Sequence, residues 1–219
     1  MPHVLLSGFE PFDGADANPS WDAVAALADS WDGPAEVSAV RLPVEFARAS
    51  SYLLQAVKDR SPDIVIATGV AQGRRHVTPE RVALNLDDAR IPDNAGARPV
   101  ETPIDPEAPA ALWSTLPVSR IVEGLTAATI PARVSLSAGA YVCNHTFFRL
   151  QAADAPTVRR SGFIHVPATT EMGLGEDVPT MPLATLIEAL RIAVATTLAT
   201  LEDDQACFSS SVRRPAHPS

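Results

Sequence analysis

The 219-residue chain has no run approaching the roughly 20 uninterrupted apolar residues needed to cross a bilayer. Nor does it open with a signal-peptide pattern, because Pro2-His3-Val4-Leu5-Leu6 already reads as entry into a first strand. No membrane span and no export are expected. Cysteine is scarce: Cys143 and Cys207 are the two, a poor disulfide framework for a chain this long, so both read as thiols and the cytoplasm is the expected compartment. Positive charge is also in short supply, with 17 Lys and Arg against 26 Asp and Glu and a formal net charge of -9. A surface of that sign repels a phosphate backbone, which argues against a nucleic-acid partner. Internal repeats, heptad arrays and low-complexity tracts are missing too.

What remains is an ordinary soluble composition, 46% apolar and 20% charged, in a length suited to one domain. Short β-rich runs alternate with amphipathic stretches. A strand at Val4-Leu5-Leu6-Ser7 precedes a helix near Asn18-Pro19-Ser20, where Asn18 suits the N-cap and Pro19 the first helical position. A second β-like run, Val37 to Leu42, leads to Phe46, Leu53, Leu54 and Val57 on one helix face. Asp63-Ile64-Val65-Ile66-Ala67-Thr68 reads as a parallel strand covered on both faces. Residues 70 to 116 break the rhythm and read as short strands with a long functional loop. Alternation resumes with a helix over Val118 to Thr129, a strand at Val134-Ser135-Leu136, a helix opening at Cys143 or Asn144, and a strand at Gly162 to Val166. Leu183 to Leu201 carries a single apolar stripe.

The pattern predicts a single-domain, three-layer α/β/α sandwich with a mostly parallel twisted sheet over residues 1–204. A mobile tail is expected over 205–219, where almost nothing can be buried. In such sheets a ligand sits at the carboxyl ends of the strands.

Chemistry concentrates around Ser137-Ala138-Gly139-Ala140-Tyr141-Val142-Cys143, where small residues lead into a helix with a thiol at its mouth. The partial positive charge and free N–H groups there lower a thiol pKa and can hold an oxyanion. The competing reading of Cys143 is a small buried apolar residue. A thiol nucleophile needs an imidazole, and the imidazole a third group to fix its tautomer. His3 begins a strand, His217 lies in the tail, His76 sits beside Arg74 and Arg75, and His145, two residues after Cys143, points elsewhere on the helix. His165 closes an apolar strand and so stands at its carboxyl edge; the alternative for it is a satisfied core histidine. For the third member Glu80 stands out at the start of an alternating strand, with Asp87, Asp88 and Asp93 as rivals in a turn-like loop. Composition does not choose among them.

These residues together resemble the pyroglutamyl peptidase I (pyrrolidone-carboxylate peptidase) family of cysteine peptidases, over essentially everything before the tail. Gly8-Phe9-Glu10-Pro11-Phe12-Asp13-Gly14 with Asn18-Pro19-Ser20, Arg41-Leu42-Pro43-Val44, Glu80 to Asn94, Gly139 to Asn144, and His165-Val166-Pro167 are similar to that family's motifs and come in its order. The resemblance implies removal of N-terminal pyroglutamate from peptides by a Glu80, Cys143, His165 triad, without metal or cofactor, in a homotetramer. It implies Arg90 as oxyanion support, with an ion pair to Asp87 or Asp93 as that residue's alternative role. It also implies Phe9, Phe12, Asn18, Ile91, Tyr141 and Val142 as substrate-binding residues, core packing being the alternative for Phe9 and Phe12. Val70 departs from the family pattern where many members carry Gln, and Gln72 where Gly is usual; both bear on one pocket hydrogen bond. Residues 168–173 lack the expected aromatic, Gln-containing stretch, which bears on the pocket rim. Two other readings of the same fold are a non-catalytic protein binding a small cyclic ligand and another thiol amidase.

Overall fold

Alternation within the strands sorts the apolar side chains onto two faces of one sheet. A computed structural model describes residues 1–211, without the side chains of 202 and 204–211. Residues 205–211 of the expected tail are helical, while the expectations for the Cys207 side chain, His217 and residues 212–219 fall outside that description.

The chain runs β1 (His3–Phe9), α1 (Pro19–Asp29), β2 (Glu36–Leu42), α2 (Ala49–Arg60) and β3 (Ile64–Val70). The short strands β4 (Thr78–Pro79), β5 (Val82–Leu84) and β6 (Ala111–Trp113) follow, then α3 (Val118–Ala127), α4 (Val142–Ala152) and β7 (Arg160–Val166). A small parallel pair, β8 (Ala168–Thr169) and β9 (Thr180–Met181), flanks a 3-10 turn, and α5 (Leu183–Ser211) closes the described chain. The main sheet has the order β2-β1-β3-β7-β4, parallel except for β4 at its edge.

From β1 and β3, Val4, Leu6, Ile64 and Ile66 point to one side and pack with Leu27 of α1, Ile121 and Leu125 of α3, and Leu190 and Val194 of α5. Leu5, Val65 and Ala67 point to the other and pack with Leu53 and Val57 of α2 and Phe147 and Phe148 of α4. The result is the expected three layers. Leu183–Leu201 is long and apolar enough, by length and composition, to cross a bilayer. Here its Leu186, Ala189, Leu190 and Ala193 are buried in the first core.

Asn18 caps α1 as expected, accepting from the Ser20 N–H at 3.1 Å, with Pro19 behind it. The strand expected at Val134-Ser135-Leu136 is a correction. Residues 131–135 do run alongside 77–81, with Val77 N–H donating to the Pro131 carbonyl and Arg133 N–H to that of Val77. Ser135 N–H then donates to the Pro79 carbonyl and Arg81 N–H to that of Ser135. The missing rung is the one Pro79 would donate, since it has no N–H. The pairing is therefore left as isolated bridges at Val77 and Glu80.

Chain order places the site. β2 lies on one side of β1 and β3 on the other, so the connections leave in opposite directions and open a crevice at the carboxyl ends of β1 and β3.

Candidate active site

A cleft of about 490 Å³ occupies that crevice. Phe9 ends β1, Val70 ends β3, and His165 stands one residue before the end of β7; all three line it. The 138–143 segment forms the opposite wall, with Arg90, Ile91 and Asp88 from the long loop.

α4 begins at Val142, one residue earlier than expected, because Tyr141 keeps an extended backbone and serves as the N-cap without a side-chain hydrogen bond. Cys143 thus lies in the first turn, where N–H groups lack intrahelical partners. Gly139, with φ of 80°, supplies the left-handed turn that brings the chain to the helix mouth. Asn144, the other expected starting residue, is fully buried and works as a clamp. Its amide bonds the Leu84 N–H and the Leu84 and Leu86 carbonyls, tying α4 to β5.

The Cys143 sulfur packs against the backbone of Gly69 so closely that a Cβ there would approach it to 2.8 Å. Gly69 is the register partner of His165 on the adjacent strand. The thiol and the imidazole therefore approach the same part of the cleft from neighbouring strand positions, and a side chain larger than that of Gly69 would crowd the sulfur. Behind His165, Nδ1 lies 2.8 Å from Glu80 Oε1, with both side chains almost wholly buried. The rivals of Glu80 are engaged otherwise. Asp87 pairs with His145 Nδ1 at 2.8 Å, and Asp93 accepts from the N–H groups of Phe46, Ala95 and Ala97. Asp88 lines the cleft but is exposed.

Electrostatics give the resting protonation states. Burial works to raise the Glu80 pKa, but the His165 hydrogen bond and charge, helped by Ser135 and Arg74, bring it below the ordinary carboxylate value. Burial lowers the His165 pKa against the pull of Glu80, and Arg74 lowers it further. The Cys143 thiol is pushed up to about 12, by burial first and by the Glu80 charge second. The helix mouth was expected to lower it. Desolvation by the surrounding groups outweighs the dipole, although Cys143 as a residue is only partly buried. The arrangement is a neutral thiol beside a neutral imidazole backed by an anionic carboxylate, poised for proton transfer during attack rather than for a standing ion pair.

Phe9 does two things at once. It is buried at 2% exposure in the second core and also lines the cleft. Phe12 lies at the cleft beside Tyr141, ring centroids 6.3 Å apart. The Tyr141 hydroxyl donates to the Pro92 carbonyl, and burial, with the nearby Asp93 charge, raises its pKa to about 12. Asn18, Ile91 and Val142 line the cleft as expected. So does Arg90, whose alternative partners Asp87 and Asp93 are occupied as described. Val70 and Gln72 also line it, whereas residues 168–173 do not. Among the described residues no three His, Cys, Asp or Glu side chains are grouped to hold a metal ion.

Sequence reasoning missed Arg74. The sequence assigns this residue no role in the site, yet the guanidinium reaches Glu80 Oε1 at 2.6 Å.

Comparison with known proteins bears on the same region. The pyroglutamyl peptidase family model matches residues 2–200. The chain belongs to the pyroglutamyl peptidase family. It is 47% identical to a pyrrolidone-carboxylate peptidase of Clavibacter michiganensis over 205 residues, 93% of this chain and 96% of that one. It is likewise 47% identical to one from Erwinia tasmaniensis over 204 residues, with the same coverage. The crystal structure of Bacillus amyloliquefaciens pyroglutamyl peptidase I superposes with a TM-score of 0.87 at 44% identity, covering 91% of this chain and 98% of that one. The pyroglutamyl peptidase fold thus extends over nearly all of the described chain, cleft included.

Proposed function

We propose that this chain is a cysteine omega peptidase that removes N-terminal pyroglutamate from peptides, with Cys143 as nucleophile, His165 as general base and then acid, and Glu80 as the group that orients the imidazole. The observation that carries the reading is the buried Glu80–His165 pair set across Gly69 from a thiol at a helix mouth, on a cleft lined by Phe9, Phe12, Ile91 and Val142.

His165, neutral at rest, takes the thiol proton as Cys143 Sγ attacks the pyroglutamyl carbonyl. Glu80 accepts from Nδ1–H and stabilises the imidazolium that forms. Developing negative charge on the carbonyl oxygen meets the N–H groups of the first turn of α4, with Arg90 in support. The C–N bond then breaks, His165 delivers its proton to the leaving amine, and water, deprotonated by the same imidazole, hydrolyses the thioester to free pyroglutamate.

The five-membered lactam is flat and uncharged, which suits walls that are mostly apolar, with Asn18 and Tyr141 as polar neighbours. An N-terminal glutamine or glutamate would have to desolvate its ammonium group against walls that are mostly apolar, which disfavours it relative to the uncharged lactam. No metal or cofactor enters these steps. A thiol nucleophile needs a reducing compartment, which favours the cytoplasm. A homo-oligomer, a tetramer by family resemblance, is part of the same proposal.

The test is hydrolysis of a fluorogenic pyroglutamyl amide against the glutaminyl and prolyl amides. Turnover confined to the pyroglutamyl amide is expected; comparable turnover of the prolyl amide would replace this reading with a broader thiol amidase.

A further inference from the structure

Arg74 sits on the turn between β3 and β4, the turn whose residues Ala71 and Gln72 line the cleft. Its side chain is only a quarter exposed. Nη1 donates to Glu80 Oε1 and to Thr78 Oγ1, each at 2.6 Å, and Nη2 donates to the Ser137 carbonyl at 3.0 Å. Glu80 Oε1 is the same oxygen that His165 Nδ1 meets at 2.8 Å. Ser137 begins the segment that carries Ala138, Gly139 and Ala140 along the cleft wall to Cys143. One guanidinium therefore joins three parts of the site: the cleft turn, the carboxylate behind the imidazole, and the approach to the nucleophile.

Building on the function proposed above, we propose that Arg74 is a positioning residue for hydrolysis, holding Glu80 Oε1 on His165 and locking that carboxylate to the loop that delivers Cys143. The planar fork of an arginine matches this task. Its two terminal nitrogens reach a carboxylate and a backbone carbonyl on different segments, which a single ammonium cannot do in the same geometry. The charge contributes as well. The charged and titratable groups acting on His165 are Glu80, which favours its protonation, and Arg74, which disfavours it; Cys143 feels the same two in the same sense. Arg74 thus keeps the imidazole free to accept a proton while Glu80 remains ionised beside it.

The experiment compares wild type, Arg74→Lys and Arg74→Gln for kcat and KM on the pyroglutamyl amide as a function of pH, normalised to titrated active sites. In parallel, alkylation of Cys143 by iodoacetamide is followed in a Cys207→Ser background. For Arg74→Gln, kcat should fall about 10²-fold with KM nearly unchanged. The acidic limb of kcat/KM and the alkylation profile should both move to higher pH, because loss of the cation raises the pKa of imidazole and thiol alike. Arg74→Lys keeps the charge and loses the fork, so kcat should fall while the pH profile stays close to wild type. A purely structural role would lower the folded fraction only, leaving kcat per titrated site and both pH profiles at their wild-type values; that result overturns the proposal. A wild-type protein inert on the pyroglutamyl amide would overturn the functional reading instead. An alkylation profile that fails to move in Arg74→Gln would then still overturn the role of Arg74.

Discussion

The molecule contains two histidine–carboxylate pairs of nearly the same geometry, His165–Glu80 and His145–Asp87, each with Nδ1 2.8 Å from a carboxylate oxygen and each largely buried. They differ in what lies on the other side of the imidazole. His165 faces the cleft across Gly69 from the thiol, and its carboxylate is gripped by Arg74. His145 lies two residues past Cys143 on α4, so its ring turns away from the thiol and stacks edge-on against Phe46, centroids 5.8 Å apart. Its carboxylate partner also exchanges backbone hydrogen bonds with Thr102. The second pair fastens the long loop to α4; the first is placed to move a proton. A histidine and an acid at hydrogen-bond distance therefore say little about catalysis until the third group and the access to substrate are known.

The sharpest way to break this comparison is to remove each imidazole. His165→Ala should lower kcat by about 10⁴-fold or more, the scale on which loss of a triad base acts. His145→Asn should leave kcat within a few-fold, read from the same turnover assay. Next in size is Glu80→Gln, which keeps the volume but removes the charge that fixes the imidazole tautomer; a loss of about 10⁴-fold with little change in KM is expected. Gly69→Ala tests the close approach itself. The added Cβ would press on the Cys143 sulfur and on the Phe163 ring at 3.0 Å, so a fall in kcat of about 10²-fold is expected from displacement of the nucleophile.

A pH profile sharpens the comparison further. The His165 pKa lies below its ordinary value of 6.5 because burial disfavours the charged ring. Protonation disables the base, so kcat/KM should stay level as pH falls through 7 and drop only below 6.5. A midpoint above 6.5 would mean that the imidazolium is favoured and the resting state is an ion pair. The smallest effect concerns stability alone. Asp87→Asn removes a charge-assisted partner of a largely buried imidazole, and denaturant unfolding should show a loss of about 1–3 kcal/mol without a matching loss of turnover per folded molecule.

The features legible in the sequence are those set by neighbours along the chain. The Asn18 cap, the Pro19 start of α1, the doubly covered strand from Ile64 and the strand-end position of His165 all follow from local pattern, and the helix mouth at Cys143 does so to within one residue. Features decided by distant partners were not legible. The four carboxylates competing for the third role look alike until packing occupies Asp87 and Asp93 elsewhere and buries Glu80 against His165. Arg74 meets Glu80 six residues on and Ser137 sixty-three residues on, and nothing nearby separates it from Arg75. The 134–136 segment carries a true β pattern, but its ladder depends on which residue faces Pro79, a matter of register. The thiol was expected to be acidified by the helix terminus, a local effect, whereas its protonation is governed by burial, which is tertiary.

The central claim is that Cys143 becomes acylated by a pyroglutamyl group. Rapid mixing of the wild-type chain with a pyroglutamyl ester, acid quenching within the first turnover, and peptide-level mass spectrometry test it most directly. One pyroglutamyl acyl group on the peptide containing Cys143, absent in Cys143→Ser and lost with time as free pyroglutamate appears, is the predicted result. Product released at the full rate with no acyl group on Cys143, or turnover that survives in Cys143→Ser, would contradict the account.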